Sequence, residues 1–393
     1  MTVWIQNPFD SLPIEGYRMQ RYWMMSEAFV QAGHRVVYWT SDFSHAMKTR
    51  RNIKTESVSG FEIRLVKTMP YLKNVSWQRV RSHRAYALEW ERAALAFVKQ
   101  SGDFPNVIIT SVPPVSTGAV GVRLAQRFSA KLVVDVQDAW PETFYRLVPK
   151  CFRWLAWLLL SGVRSTMGHV YRQANLVTGV CDRYEALVKE YGAKEYYRAY
   201  LGIAESGIEN RGPVIGDRRI RTAYVGNLGK SYDLKTAIEG VALLNQRGMC
   251  ATLDVAGFGG TVAASDGVRF HGMLEQEKLR QLLEQCDVGV IPMCDDSYVG
   301  IPNKLAEYAN AGLSIVSSLK GECADLLARY GCGVTYQSGD AVSFADAVTK
   351  SLALPASAGR RLVEIELAAD VVYKAYCERI CALVDTGKKE SER

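Results

Sequence analysis

Short apolar runs alternate along this chain with stretches whose apolar positions recur every three or four residues. That is the pattern of strands alternating with amphipathic helices. In the first half, residues 3–5 read as a strand, followed by a loop over 6–18 that carries two prolines and a glycine. A helix over 19–32 closes on Gly33, a residue suited to the turn after a helix. Strands are expected at 35–40, 107–110 and 132–136, with a helix over 117–128 and a last strand of this half at 176–179. After residues 202–219, which hold four glycines and one proline and read as a linker, a second series begins. It runs as strand 221–225, helix 236–247, strand 251–256, helix 275–285, strand 288–292, helix 304–311 and strand 313–318. Strands that alternate with helices predict parallel sheets with right-handed crossovers. The fold class is α/β, with two doubly wound, Rossmann-like domains facing a cleft. The expected boundaries are 1–203 for the first domain, 204–218 for the linker and 219–367 for the second. The segment 368–393 adds a helix that returns to the first domain and a charged tail.

Composition narrows the class. The chain has 393 residues, enough for two cores. It is 48% hydrophobic and 23% charged, which excludes wholesale disorder. The longest apolar run, 154–160, has seven residues, far short of a membrane span. The N-terminus lacks the pattern of a secretory signal, so a cytoplasmic location is expected. None of the nine cysteines lies in the first 150 residues, and none forms a CxxC pair. Cys377 and Cys381 share a helix face and read as buried thiols, because no histidine is near them in sequence. No metal site is expected.

The net charge of +7 is unevenly spread. Residues 1–200 hold 27 Lys and Arg against 16 Asp and Glu (+11), and the remainder holds 21 against 25 (−4). A basic first half points to an anionic partner such as a membrane surface, a phosphate-bearing acceptor or a nucleic acid, with a solvated Lys/Arg face as the alternative. Two segments in it mix basic and aromatic residues: 71–84, with Arg79 and Arg81, and 149–172, with Arg153, Trp154 and Trp157. The second, if helical, is amphipathic enough to lie on a membrane; ordinary domain packing is the alternative for each.

In parallel sheets ligands sit beyond the carboxyl ends of strands, so chemistry is sought in those loops. Gly226-Asn227-Leu228-Gly229-Lys230 follows a strand and offers close backbone approach and a cation for phosphate. It is neither a P-loop nor GxGxxG. Gly257 opens a similar turn. Pro302 is expected in the first turn of a helix whose free N–H groups face an anion. Glu307 lies just over one turn on, able to bond a diol such as a ribose. In the loop after 132–136, Asp135 reads as a structural residue and Asp138 as the functional carboxylate.

Four stretches in this order carry a family likeness: VIITSVPP…KLVVDVQDAWPE, AYVGNLGKSYDL, VRFHGMLEQEKLRQLLEQCDVGVIP and IPNKLAEYANAGLSIV. Together they resemble the GT-B glycosyltransferases of family 4, chiefly bacterial members that build O-antigen, capsule and other surface polysaccharides. The resemblance implies an acceptor-binding first domain and a nucleotide-sugar-binding second one. It implies retaining transfer without a metal or cofactor, with a UDP-sugar expected before a GDP-sugar, on the inner face of the cytoplasmic membrane. A lipid-linked saccharide is the implied acceptor and an anionic membrane surface a further partner; nucleic acid is not. Lys230 would hold the donor diphosphate, Gly16 would approach it, and Asn303 and Lys304 would lie over donor sugar and phosphates. Glu307 matches the second acid of the E-x7-E pattern; the first would fall at Val299, where no acid stands. Asn227 replaces the phosphate-binding Arg of many relatives, which throws more charge onto Lys230. Asp138 would orient the acceptor or the cationic sugar. The competing expectations are a sugar-nucleotide 2-epimerase of the same fold and a non-catalytic membrane- or polyanion-binding scaffold.

Overall fold

The computed structural model describes residues 1–53, 56–145, 148–204, 219–229, 231–259, 265–295 and 297–391. The chain divides into two compact units. Met1–Tyr200 and the chain from Val372 onward form the first, and Leu201–Val371 the second. The expected linker lies almost wholly outside the described residues.

The first unit is built on an eight-stranded sheet. Its order is Tyr196–Arg198, Leu176–Gly179, Lys131–Val136, Val107–Val112, Thr2–Gln6, Arg35–Ser41, Phe61–Val66 and Glu56–Val58. All neighbours are parallel except the hairpin of the last two. Every residue of Val107–Val112 is buried, as a strand covered on both faces requires. Trp4 anchors the core, meeting Trp39, Phe128 and Phe97 edge-on at ring separations of 5.3, 5.6 and 5.9 Å.

Two expectations for this unit need correction, for 176–179 and 149–172, and the structure gives the 71–84 segment its form. The strand at 176–179 does not end the sheet, because Tyr196–Arg198 pairs beyond it. The segment 71–84 is mostly the start of a 25-residue helix, Trp77–Ser101, capped by the Ser76 hydroxyl, which accepts the Arg79 N–H. The segment 149–172 is not one amphipathic helix. It breaks at Leu160 into Arg153–Leu159 and Ser161–Gln173, and only the latter buries a face, through Met167, Val170 and Tyr171.

The C-terminal helix Ala369–Ser391 returns to the first unit, where Tyr376 and Ile380 are buried. The second unit has six parallel strands in the order Val268–Gly272, Ala251–Ala256, Ile220–Val225, Val288–Ile291, Ser314–Ser317 and Gly333–Thr335. Tyr224, Leu253, Val288, Val316, Phe344 and Val348 form the centre of its core. Among the described residues no helix is long and apolar enough to cross a membrane.

Candidate functional site

In the second unit the winding reverses between Ile220–Val225 and Val288–Ile291, which places a ligand crevice beyond the carboxyl ends of those strands. Three glycines let the chain close tightly there. Gly226 adopts a φ of +139°, and a Cβ on it would stand 2.7 Å from Lys304 Nζ. A Cβ on Gly257 would fall 1.7 Å from the Gly226 carbonyl oxygen, so the two loops touch backbone to backbone. One on Gly259 would meet the Asn227 side-chain oxygen at 2.5 Å. The Gly226 and Leu228 N–H groups donate to the Ala256 and Phe258 carbonyls at 2.9 and 2.8 Å, which fixes the loops side by side. The buried Tyr308 hydroxyl accepts the Val225 N–H at 2.9 Å and ties the helix Asn303–Asn310 to the same place.

Lys304, in the first turn of that helix, is the unusual member. Its side chain runs under Gly226, and the residue is only 7% exposed. Nζ lies 4.3 Å from the centre of the Tyr232 ring and 5.1 Å from that of Tyr224. Among the described residues it has neither a hydrogen-bond acceptor nor an ion-pair partner. Burial lowers its pKa to about 8, against an opposing pull from Glu307. A buried ammonium without a salt-bridge partner is costly unless an anion completes it. Glu307 is half-buried one turn on and Asn303 is exposed. Pro302 proves to be the residue just before the helix rather than part of its first turn. Lys230 and residues 260–264 lie outside the described residues.

The first unit has its own reversal, between Thr2–Gln6 and Val107–Val112. Asp135, fully buried, accepts a forked pair of bonds from Arg21 Nε and Nη2 at 2.9 and 2.8 Å. It also accepts from the Tyr22, Thr178 and Gln137 side chains, each at 2.6 Å. Burial pushes its carboxyl pKa up, but the Arg21 charge and these bonds outweigh that and hold it below the ordinary value. Asp135 is therefore structural, as its sequence position suggests.

Asp138 sits at the exposed rim of the same loop, where surrounding protein raises its pKa and the Arg79 charge opposes the rise. Arg79 is the residue of the basic 71–84 segment that turns inward. Its guanidinium lies 5.5, 5.8 and 6.0 Å from the ring centres of Phe9, Trp140 and Tyr71, and Nε donates to His83 at 3.2 Å. Beside it lies a small recess of about 10 Å³, room for a single water, lined in part by Phe9, His45, Tyr71 and His83. Burial, followed by nearby cations, depresses His45 to about 4 and His83 to about 3, so both are neutral at pH 7. The Phe9, Tyr71 and Trp140 rings come from three different loops, and sequence reading noted the basic and aromatic 71–84 segment without the Phe9 and Trp140 partners.

Gly16 is exposed in the left-handed turn after Pro13–Glu15, with nothing near its missing Cβ. Arg81 and Arg153 are exposed, as are Trp154 (63%) and Trp157 (54%), the latter beneath Arg164 at 3.7 Å. At the far side of the unit, His34 Nε2 stands 3.1 Å from Cys381 Sγ. A histidine remote in sequence thus joins the two thiols that had been read without one.

Residues 219–353 match the family model described as "Glycosyl transferases group 1". The amylovoran biosynthesis glycosyltransferase AmsK of Erwinia amylovora is 29% identical over 139 residues, 32% of this chain and 34% of AmsK. This chain thus spans about a third of the length of that curated relative. Among solved structures, sucrose-phosphate synthase from Thermosynechococcus elongatus superposes with a TM-score of 0.70 at 15% identity, covering 98% of this chain and 99% of that one. Anabaena HepE, in complex with UDP and glucose, gives 0.65 at 11%, covering 97% and 100%. WaaG, a glycosyltransferase involved in lipopolysaccharide biosynthesis, gives 0.57 at 13%, covering 96% and 99%. The chain has the Rossmann-like fold of the GT-B glycosyltransferases in each of its two units, and its residues 219–353 are similar to the group 1 glycosyl transferases.

Proposed function

We propose that the protein is a retaining glycosyltransferase that moves a sugar from a nucleotide donor, UDP-linked before GDP-linked, to a lipid-linked saccharide during bacterial surface-polysaccharide synthesis. The observation that carries this reading is Lys304, a buried cation with no hydrogen-bond acceptor among the described residues, set under Gly226, where a Cβ would not fit, at the crevice of the second unit. A donor diphosphate is the anion it lacks, and Glu307, one turn on, is placed to bond the ribose hydroxyls. The relatives agree with this: AmsK is named for amylovoran biosynthesis, and HepE was solved with UDP and glucose.

In the reaction the bond between the anomeric carbon and the diphosphate oxygen breaks, and the acceptor oxygen bonds to the same face of that carbon. The acceptor proton passes to the leaving phosphate. Charge grows on the diphosphate as the bond breaks, so Lys304, Lys230 and the helix N-terminus stabilise the transition state more than the ground state. Asn227, Gly257, Asn303 and Gly16 serve the donor. Asp138 orients the acceptor, and no metal or other cofactor takes part.

A thermal-shift panel of UDP, GDP, ADP and CDP tests the donor reading. UDP is expected to raise the melting temperature most, because a ligand that binds only the folded protein stabilises it by mass action. No shift with any of the four, in a folded sample, removes the transferase reading in favour of a scaffold.

The protein is further proposed to bind the inner membrane surface peripherally through Arg153–Leu159, where Trp154, Trp157 and Leu159 (75% exposed) stand beside Arg153. Replacing both Trp154 and Trp157 with Ser is expected to release the protein from sedimenting anionic vesicles. Equal sedimentation of wild type and variant excludes this surface.

A further inference from the structure

The C-terminal helix carries Cys377 and Cys381 one turn apart on one face, and it lies on the turn that follows the helix Arg21–Gln31. That turn ends in His34, whose backbone N–H donates to the Phe29 carbonyl at 3.0 Å, which fixes the main chain that carries the imidazole. His34 Nε2 and the two Sγ atoms lie within 4.8 Å of one another, with Nε2 to Cys381 Sγ at 3.1 Å. Cys377 is buried, while Cys381 and His34 are half-buried, so one side of the group is open to solvent.

We infer that His34, Cys377 and Cys381 form a binding site for a thiophilic divalent cation of the zinc type, independent of the sugar-transfer site. Two sulfurs and one imidazole nitrogen are the donor set that a borderline-soft d10 ion selects over magnesium or calcium. With metal–sulfur bonds of about 2.3 Å and metal–nitrogen bonds of about 2.0 Å, tetrahedral ligand atoms stand roughly 3.5–3.8 Å apart. The group needs shifts of no more than about an ångström to reach that geometry. Water from the open side fills the fourth position. On binding, the two thiols lose their protons to solvent and the ion bonds both thiolates and neutral His34. The ion would fasten the C-terminal helix to the first unit, since its ligands come from chain segments 343 residues apart at the least (Cys377 against His34).

The test is titration of the reduced, full-length protein with Co2+, followed by displacement with Zn2+. One equivalent of Co2+ is expected to give thiolate-to-cobalt absorption in the near ultraviolet, together with the visible bands of a tetrahedral ion, and Zn2+ to abolish both. Cys381→Ser and His34→Gln should each weaken Co2+ binding by more than the roughly 10- to 100-fold that loss of an outer-shell partner costs. The double variant Cys151→Ser, Cys250→Ser removes the exposed thiols and should leave the signal intact. Far-ultraviolet circular dichroism checks that each variant is folded, and Cys377→Ser replaces any that is not. Absence of thiolate absorption overturns the site, as does a signal that survives Cys381→Ser and His34→Gln or that vanishes with Cys151 and Cys250.

Discussion

Replacing Arg21 with Met lowers the stability of the first unit by about 3–5 kcal/mol, the usual consequence of breaking a buried ion pair from one side. The arginine is buried and forked onto Asp135, and its other end donates to the Ala199 and Tyr200 carbonyls at 3.1 and 2.9 Å. Methionine fills much of the space but leaves a fully buried carboxylate facing neutral donors alone. Arg21→Lys restores the charge without the fork and should recover only part of the loss. Adding Asp135→Asn to Arg21→Met removes the stranded charge and should also recover part of it, giving a coupling that distant sites do not show. Urea denaturation, read by a probe in the first unit, measures each variant. The pH dependence has a definite sign. A carboxyl whose folded pKa is depressed supplies stability above its unfolded pKa of about 3.9 and loses it as pH falls through the folded value. The gap between wild type and Arg21→Met should therefore be complete at pH 7 and shrink under acid. Equal stability of the two at pH 7 would show that Asp135 finds its charge balance elsewhere.

Replacing Lys304 with Met has opposite effects on activity and stability. Donor kcat/KM should fall by about 10²–10³, the range typical of losing one preorganised donor to a developing anion. The free protein should become more stable, because the native state no longer buries an ammonium. With the folded pKa lowered to about 8 from 10.5, that burial costs roughly 3 kcal/mol at neutral pH. A base with a depressed folded pKa binds fewer protons when folded. Wild-type stability should thus rise between about pH 8 and 10.5, and its deficit against Lys304→Met should close over the same window. The donor kcat/KM of the wild type should in turn decline above about pH 8, as the lysine loses its proton in the free protein. Loss of stability together with activity would make Lys304 a packing residue.

What the sequence revealed was set by how local each signal is. Val288–Ile291 (VGVI) is buried throughout and is plain as a short apolar run, and Ala251–Ala256 is buried throughout with Thr252 and Asp254 set between its apolar residues. Phe61–Val66 carries a weaker signal, because its buried positions 61, 63 and 66 only nearly alternate behind the Ser59-Gly60 turn. The helix Trp77–Ser101 was obscured because its first turns are rich in arginine and carry no acid to mark the start. At the site, glycines and Lys304 could be located by motif, but the close approach of Gly257 to Gly226 joins loops of separate strands. The aromatic surround of Arg79 and the nearness of His34 to Cys381 are long-range contacts that no local periodicity encodes.

The first unit is assembled from both ends of the chain. Tyr373 and Tyr376, from the C-terminal helix, each lie 5.8 Å from Arg21, and the Tyr376 hydroxyl is 3.3 Å from that of Thr178. On the ribosome, then, the unit made first cannot be finished first. Its central ion pair waits, one aromatic wall missing, while all of Leu201–Val371 is synthesised and free to fold, and only a helix made after that segment supplies the wall.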